Sequence, residues 1–298
     1  MVKYNKTILS NGLKVITHCE PSSPMVSVNL LYNVGSRDEH CEKTGFAHLF
    51  EHLMFGGSKN IPDYDFCANQ AGAENNAFTS NDITNYYITL PSAYLETALW
   101  MESDRMNELA FSTKSLEVQR NVVIEEFRQR YLNQPYGDVW LLLRPLAYKV
   151  HPYRWPTIGK DISHIEQATI EDVKEFFYKF YRPSNATLCI AGNIDENRAI
   201  ELANKWFGAI ESGTPYHRQL PTEPLQTEAR SLTVERDVPA SAIYKAYKMS
   251  RRMCHDYYAF DLMSDILSNG NSSRLYLELI KKEKLFTEIN AYITGDAD

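Results

Sequence analysis

No stretch of this chain approaches the run of about 18 apolar residues that a membrane-crossing helix needs. The first residues, MVKYNKTILSNGLKVITHCEP, also lack the apolar core of a secretory signal. These two absences point to a cytoplasmic protein that works without a membrane. Cysteine is sparse and unpaired. Cys19, Cys41, Cys67, Cys189 and Cys254 are odd in number and scattered, with no CxxC pair, which argues against a disulfide framework and against a thiolate zinc site. Positive charge is nowhere concentrated either. The longest basic runs are Arg251-Arg252 and Lys281-Lys282, and a formal net charge of −7 argues weakly against a nucleic-acid surface. What is present is ordinary globular material. Hydrophobic residues make up 44% and charged residues 23% of 298 positions, enough to build two domains with cores of their own.

Turn signals and apolar runs order the first part of the chain. Asn11-Gly12 between TILS and LKVIT reads as a hairpin, and MVSVNLLYNVG at 25–35 as a buried strand. A helix is expected from Thr44 to the Gly56-Gly57 stop, and a short one over Tyr64–Ala71. Two strands follow within Asn76–Leu90, turning at Ser80-Asn81-Asp82. Helices are expected at Ser92–Leu109, Thr113–Leu132, 138–150, 169–181 and Asn197–Phe207, with a strand at 186–192. Hairpins mixed with helical crossovers indicate an α+β fold. Pro215, Pro221 and Pro224 lie among polar residues, so 214–230 reads as a linker between a domain at 1–213 and a second at 231–298. The order of elements then restarts. Strands are expected at Ser231–Val238 and Ser241–Met249 and helices at Asp256–Ser268 and Arg274–Lys284, a pattern resembling the start of the first domain. The second copy is far shorter than the first, so it is expected to be incomplete and the 298 residues to be part of a longer chain.

Residues 44–58, TGFAHLFEHLMFGGS, carry the chemistry. On a helix His48 and His52 lie one turn apart on the same face, with Glu51 beside them. Two such imidazoles can hold one Zn²⁺, and an adjacent carboxylate can deprotonate water activated by the metal. Chance alone produces a His-x-x-Glu-His match in roughly one or two chains per hundred of this composition, so five residues are not decisive. A catalytic zinc site also needs a third protein ligand. Glu125 and Glu126, side by side in QRNVVIEEFRQR, are the conspicuous carboxylates, and helical periodicity does not separate them.

With these residues the chain closely resembles the M16 family of zinc peptidases, the inverzincins, whose motif reverses the usual His-Glu-x-x-His order. SNGLKVI at 10–16, NVGSRDE at 33–39, NNAFTSNDITNYY at 75–87, QRNVVIEEFRQR at 119–130 and NGNSSRLYLEL at 269–279 all look like family signatures. The resemblance implies two homologous domains of mixed α/β sheet, the second incomplete here. It implies a zinc-dependent metallopeptidase that hydrolyses unfolded peptides or oligopeptides, with one Zn²⁺ per chain. His48 and His52 become zinc ligands, Glu51 the general base, and Glu126 rather than Glu125 the third ligand. Gln119 stands where the family has a glutamate supporting the metal site. Asn76, Ala77 and Phe78 resemble the family's edge strand, against which a peptide substrate lies by adding its own backbone to the sheet. A homodimer, or a heterodimer with a related subunit, is the implied assembly. The alternative within the family is a non-catalytic, peptide-binding or processing-peptidase-like subunit.

Overall fold

A computed structural model describes residues 2–298. The chain forms two compact units, Met1–Tyr244 and Lys245–Asp298. In the first, strands β1 (Asn5–Ile8), β2 (Lys14–Cys19), β3 (Met25–Tyr32), β4 (Glu74–Thr79), β5 (Thr84–Pro91) and β6 (Ala186–Gly192) make one sheet in the order β1-β2-β6-β3-β5-β4. Only the β2/β6 pair is parallel among these neighbours. The α+β class expected from the mixture of hairpins and crossovers is therefore the class found.

The central strand shows why this sequence makes a sheet. In β3, Val26, Val28, Leu30 and Tyr32 alternate with half-buried Met25, Ser27, Asn29 and Leu31, the period of two that sends successive side chains to opposite faces. The first set is wholly buried. Gly192 ends β6 at φ +132°, where a Cβ would stand 2.3 Å from the Met25 carbonyl oxygen, so only glycine lets β6 run this close to β3.

The helices are α1 (Phe46–Leu53), α2 (Tyr64–Gln70), α3 (Leu95–Asn107), α4 (Thr113–Phe127), α5 (Val139–Ala147), α6 (Ser163–Glu166), α7 (Ile170–Phe180), α8 (Glu196–Phe207) and, in the second unit, α9 (Tyr257–Ser268). α4 continues into a π-helical turn over Arg128–Leu132, which accounts for the longer helix read from the sequence. Thr169 and Asp172 cap α7 reciprocally in a capping box. α1 and α7 meet through aromatic rings, with Phe50 stacked on Phe176 at 4.9 Å and on Tyr181 at 5.1 Å. Among the described residues no helix is long and apolar enough to cross a membrane.

Two expectations change. Ser231–Val238 and Ser241–Met249, read as strands, carry no strand, and Ile243 and Tyr247 are exposed. A strand is held by a neighbour's hydrogen bonds, and none of the described residues pairs with these segments. Residues 214–230 likewise contain no regular element, but they are not loose. Arg218 grips Asp38 through Nε at 2.6 Å and Nη2 at 2.8 Å, and Glu223 accepts the backbone N–H groups of Lys149, Val150 and His151 at 2.7 to 2.9 Å.

Candidate metal centre

Helix α1 is short and sharply two-faced. Phe46, Ala47, Leu49, Phe50 and Leu53 are buried, which leaves His48, Glu51 and His52 half-buried on the other side. Its N-cap, Gly45, sits at φ +90°, where a Cβ would stand 2.5 Å from the Ile158 carbonyl oxygen, and it has no side chain with which to cap. Glu39 supplies the missing acceptor from six residues upstream. Its two carboxyl oxygens receive the N–H groups of Gly45 and Ala47, each at 2.9 Å. Burial pushes the Glu39 carboxyl up to about 8, opposed by those two N–H groups.

Helix α4 packs beside α1 and brings Glu126 across. Its Oε2 lies 3.6 Å from His48 Nε2 and 3.5 Å from His52 Nε2, and the three donor atoms are within 4.8 Å of one another. The two imidazoles meet edge to face, with centroids 4.9 Å apart. Arg130, one turn beyond Glu126, holds the other carboxylate oxygen at 2.8 Å. Glu125 turns away to pair with Arg128 and is exposed, so the two glutamates that periodicity left equivalent are separated by packing.

The electrostatics suit a metal. Burial lowers His48 to about 4 against the attraction of Glu126, which keeps its lone pairs available near neutral pH. The His52 and His48 rings and Arg130 hold Glu126 below the usual carboxylate range. Burial raises Glu51, opposed by Thr79, whose hydroxyl donates to Glu51 Oε2 at 2.6 Å. Zinc bonds of about 2.0–2.1 Å in a tetrahedron put neighbouring donors roughly 3.4 Å apart. The observed 3.5 and 3.6 Å separations match that edge and are long for hydrogen bonds, so two imidazoles and one carboxylate fit a Zn²⁺. Two histidines and a glutamate form a donor set that catalytic zinc uses.

The remaining candidates fall nearby or on the same elements. Asn76, Ala77 and Phe78 lie on β4, an edge strand, with Phe78 47% exposed. Gln119 is half-buried on α4, two turns before Glu126 and on its face. Of the adjacent tyrosines, Tyr86 is buried and Tyr87 exposed. The roles of Glu39, Thr79 and Arg130 were not legible, although all three lie inside the stretches NVGSRDE, NNAFT and QRNVVIEEFRQR. Nor was the role of the buried Arg105. It binds Glu102 through Nε and Nη2 at 2.9 and 2.6 Å and lies between the rings of Tyr64 and Tyr86 at 4.6 and 4.4 Å.

A mixed sheet whose edge strand passes a two-histidine, one-glutamate cluster and a separate carboxyl defines a class, that of metal-dependent hydrolases with the reversed motif. Residues 14–158 match the family described as insulinase (peptidase family M16), and 167–298 match the peptidase M16 inactive domain. The chain belongs to peptidase family M16. It is 33% identical over 296 residues to the zinc protease PqqE of Helicobacter pylori, covering 96% of this chain and 66% of that protein. The crystal structure of a protease from Helicobacter pylori superposes with a TM-score of 0.89 at 31% identity, covering 100% of this chain and 73% of that one. The periplasmic protease PqqL from Escherichia coli shares the fold over 74% of this chain and 25% of its own, with a TM-score of 0.67 at 24% identity. The chain thus spans just under two thirds of the length of the curated relative PqqE.

Proposed function

We propose that this chain carries the active site of a zinc metallopeptidase that hydrolyses peptide bonds in unfolded peptides or oligopeptides. The observation that supports it is the convergence of His48, His52 and Glu126 beside a half-buried Glu51, at the open edge of the sheet. Zinc, when bound by the three donors, polarises a peptide carbonyl and makes water more acidic. Glu51 takes the proton of the attacking water and delivers it to the leaving amine, the task of a positioned general base. Burial raises its pKa, which strengthens it as a base. The backbone of β4 grips an extended peptide by strand addition, which tolerates many side chains because the main chain does the holding. PqqE being named a zinc protease supports the cofactor, and we assign one Zn²⁺ per chain. We further propose a cytoplasmic homodimer, or a pairing with a related subunit.

Metal analysis and a peptide-turnover assay of Glu51→Gln test this reading. The substituted protein is expected to keep its zinc and lose hydrolysis by about 10²-fold or more. Wild-type turnover in Glu51→Gln would refute the assigned mechanism, and a zinc-loaded wild type without turnover would favour a non-catalytic peptide-binding subunit.

A further inference from the structure

Strand β4 has one open side, and its hydrogen-bonding register determines what faces outward. Ser80 donates its N–H to the Ile83 carbonyl at 2.9 Å, which makes these two a hydrogen-bonded pair at the hairpin end. Antiparallel pairs alternate, so Thr79, opposite Thr84, belongs to a non-hydrogen-bonded pair and aims its main chain away from β5. Ala77, opposite Tyr86, and Asn75, opposite Ile88, do the same. These three residues present the outward main chain of β4, and the Ala77 N–H already has a partner there. The Asn76 side chain accepts the N–H of Ala77 at 2.8 Å. The Thr79 hydroxyl is turned to the Glu51 carboxylate and donates to Oε2 at 2.6 Å.

Glu51 lies between the two histidines in sequence, but the donors that converge are His48, His52 and Glu126. Its carboxylate is drawn instead toward the strand by Thr79, the last residue of β4. We propose that Thr79 is a positioning residue that couples the peptide-gripping edge to the base. Its hydroxyl pins one Glu51 oxygen, keeps the carboxylate from swinging in among the donors, and leaves the second oxygen to receive the proton. Because Thr79 ends the edge, a peptide paired along Asn75 and Ala77 runs out of strand where the base is held. The bond to be cut is thereby placed at the end of the added strand rather than along it. Asn76 covers the Ala77 N–H until a peptide carbonyl takes its place.

This inference rests on the peptidase reading, and it is tested in the full chain loaded with zinc, with Thr79→Val, Thr79→Ser and Glu51→Gln side by side. Thr79→Val keeps the shape and loses the hydroxyl, so kcat on a fluorogenic peptide is expected to fall about 10- to 100-fold with KM within about twofold. Thr79→Ser restores kcat to within about threefold. In the metal-free chain, the affinity of a labelled extended peptide, read by fluorescence anisotropy, is unchanged in Thr79→Val. Wild-type kcat in Thr79→Val, while Glu51→Gln is inactive, overturns the positioning role and leaves the peptidase reading standing. A tenfold loss of peptide affinity makes Thr79 a gripping residue instead and also overturns it. If Thr79→Val fails to fold, a Thr79→Ser protein with native melting temperature and a depressed kcat overturns it equally. Full turnover by Glu51→Gln refutes the underlying mechanism rather than this coupling.

Discussion

Replacing Glu39 by glutamine probes how the motif helix is held. Glu39 is buried, and both of its carboxyl oxygens serve the N-terminus of α1. A carboxyl whose pKa is higher in the folded than in the unfolded state binds more protons when folded. Its contribution to stability is therefore full below about 4.5, declines as the pH rises toward 8, and is lost above it. The displacement from 4.5 to about 8 corresponds to about 5 kcal/mol across the whole interval. Glutamine retains one acceptor oxygen but sets an NH₂ group against the other helix N–H, which costs about 1–3 kcal/mol at every pH in the range. At pH 5 the Glu39→Gln protein should thus be the less stable of the two. Between pH 5 and 9 the wild type should lose several kcal/mol relative to the variant, so that the order closes or reverses. Urea unfolding followed by tryptophan fluorescence at pH 5, 7 and 9 measures this directly. A wild-type advantage that is the same at pH 5 and pH 9, within about 0.5 kcal/mol, would refute a buried carboxyl titrating under α1.

Two further comparisons test the scaffold of the site. Glu126→Gln should weaken zinc binding by about 100-fold or more in a chelator competition, since it removes a donor and its charge, whereas Glu125→Gln, which alters an exposed pair with Arg128, should leave it unchanged. Arg105→Leu should destabilise the fold by about 3–5 kcal/mol in urea unfolding, because Glu102 is left buried without its partner; adding Glu102→Leu should recover part of that loss.

Local sequence carried much of this protein's character. The four-residue spacing of His48 and His52 puts both imidazoles on one helical face, because a turn of α-helix is 3.6 residues whatever surrounds it. The strand read at 25–35 and the helix read at 169–181 likewise rest on local pattern, and β3 and α7 lie within those stretches. Tertiary packing decided the rest. The neighbouring Glu125 and Glu126 differ by 100° around one helix, and only the placement of α4 against α1 sends one to the histidines and the other to solvent. Glu39 could not be seen as the cap of α1, nor Thr79 as the partner of Glu51, because each bond joins segments whose approach depends on the assembled sheet. Ser231–Val238 and Ser241–Met249 show the converse. Strand propensity is a property of the segment, but a strand exists only where another strand meets it, and among the described residues none meets these. Sequence determined which chemistry the helix could present. Tertiary structure decided which carboxylate completes the donor set, which hydroxyl holds Glu51, and which strand lies open beside them, since all three depend on contacts between parts of the chain far apart in sequence.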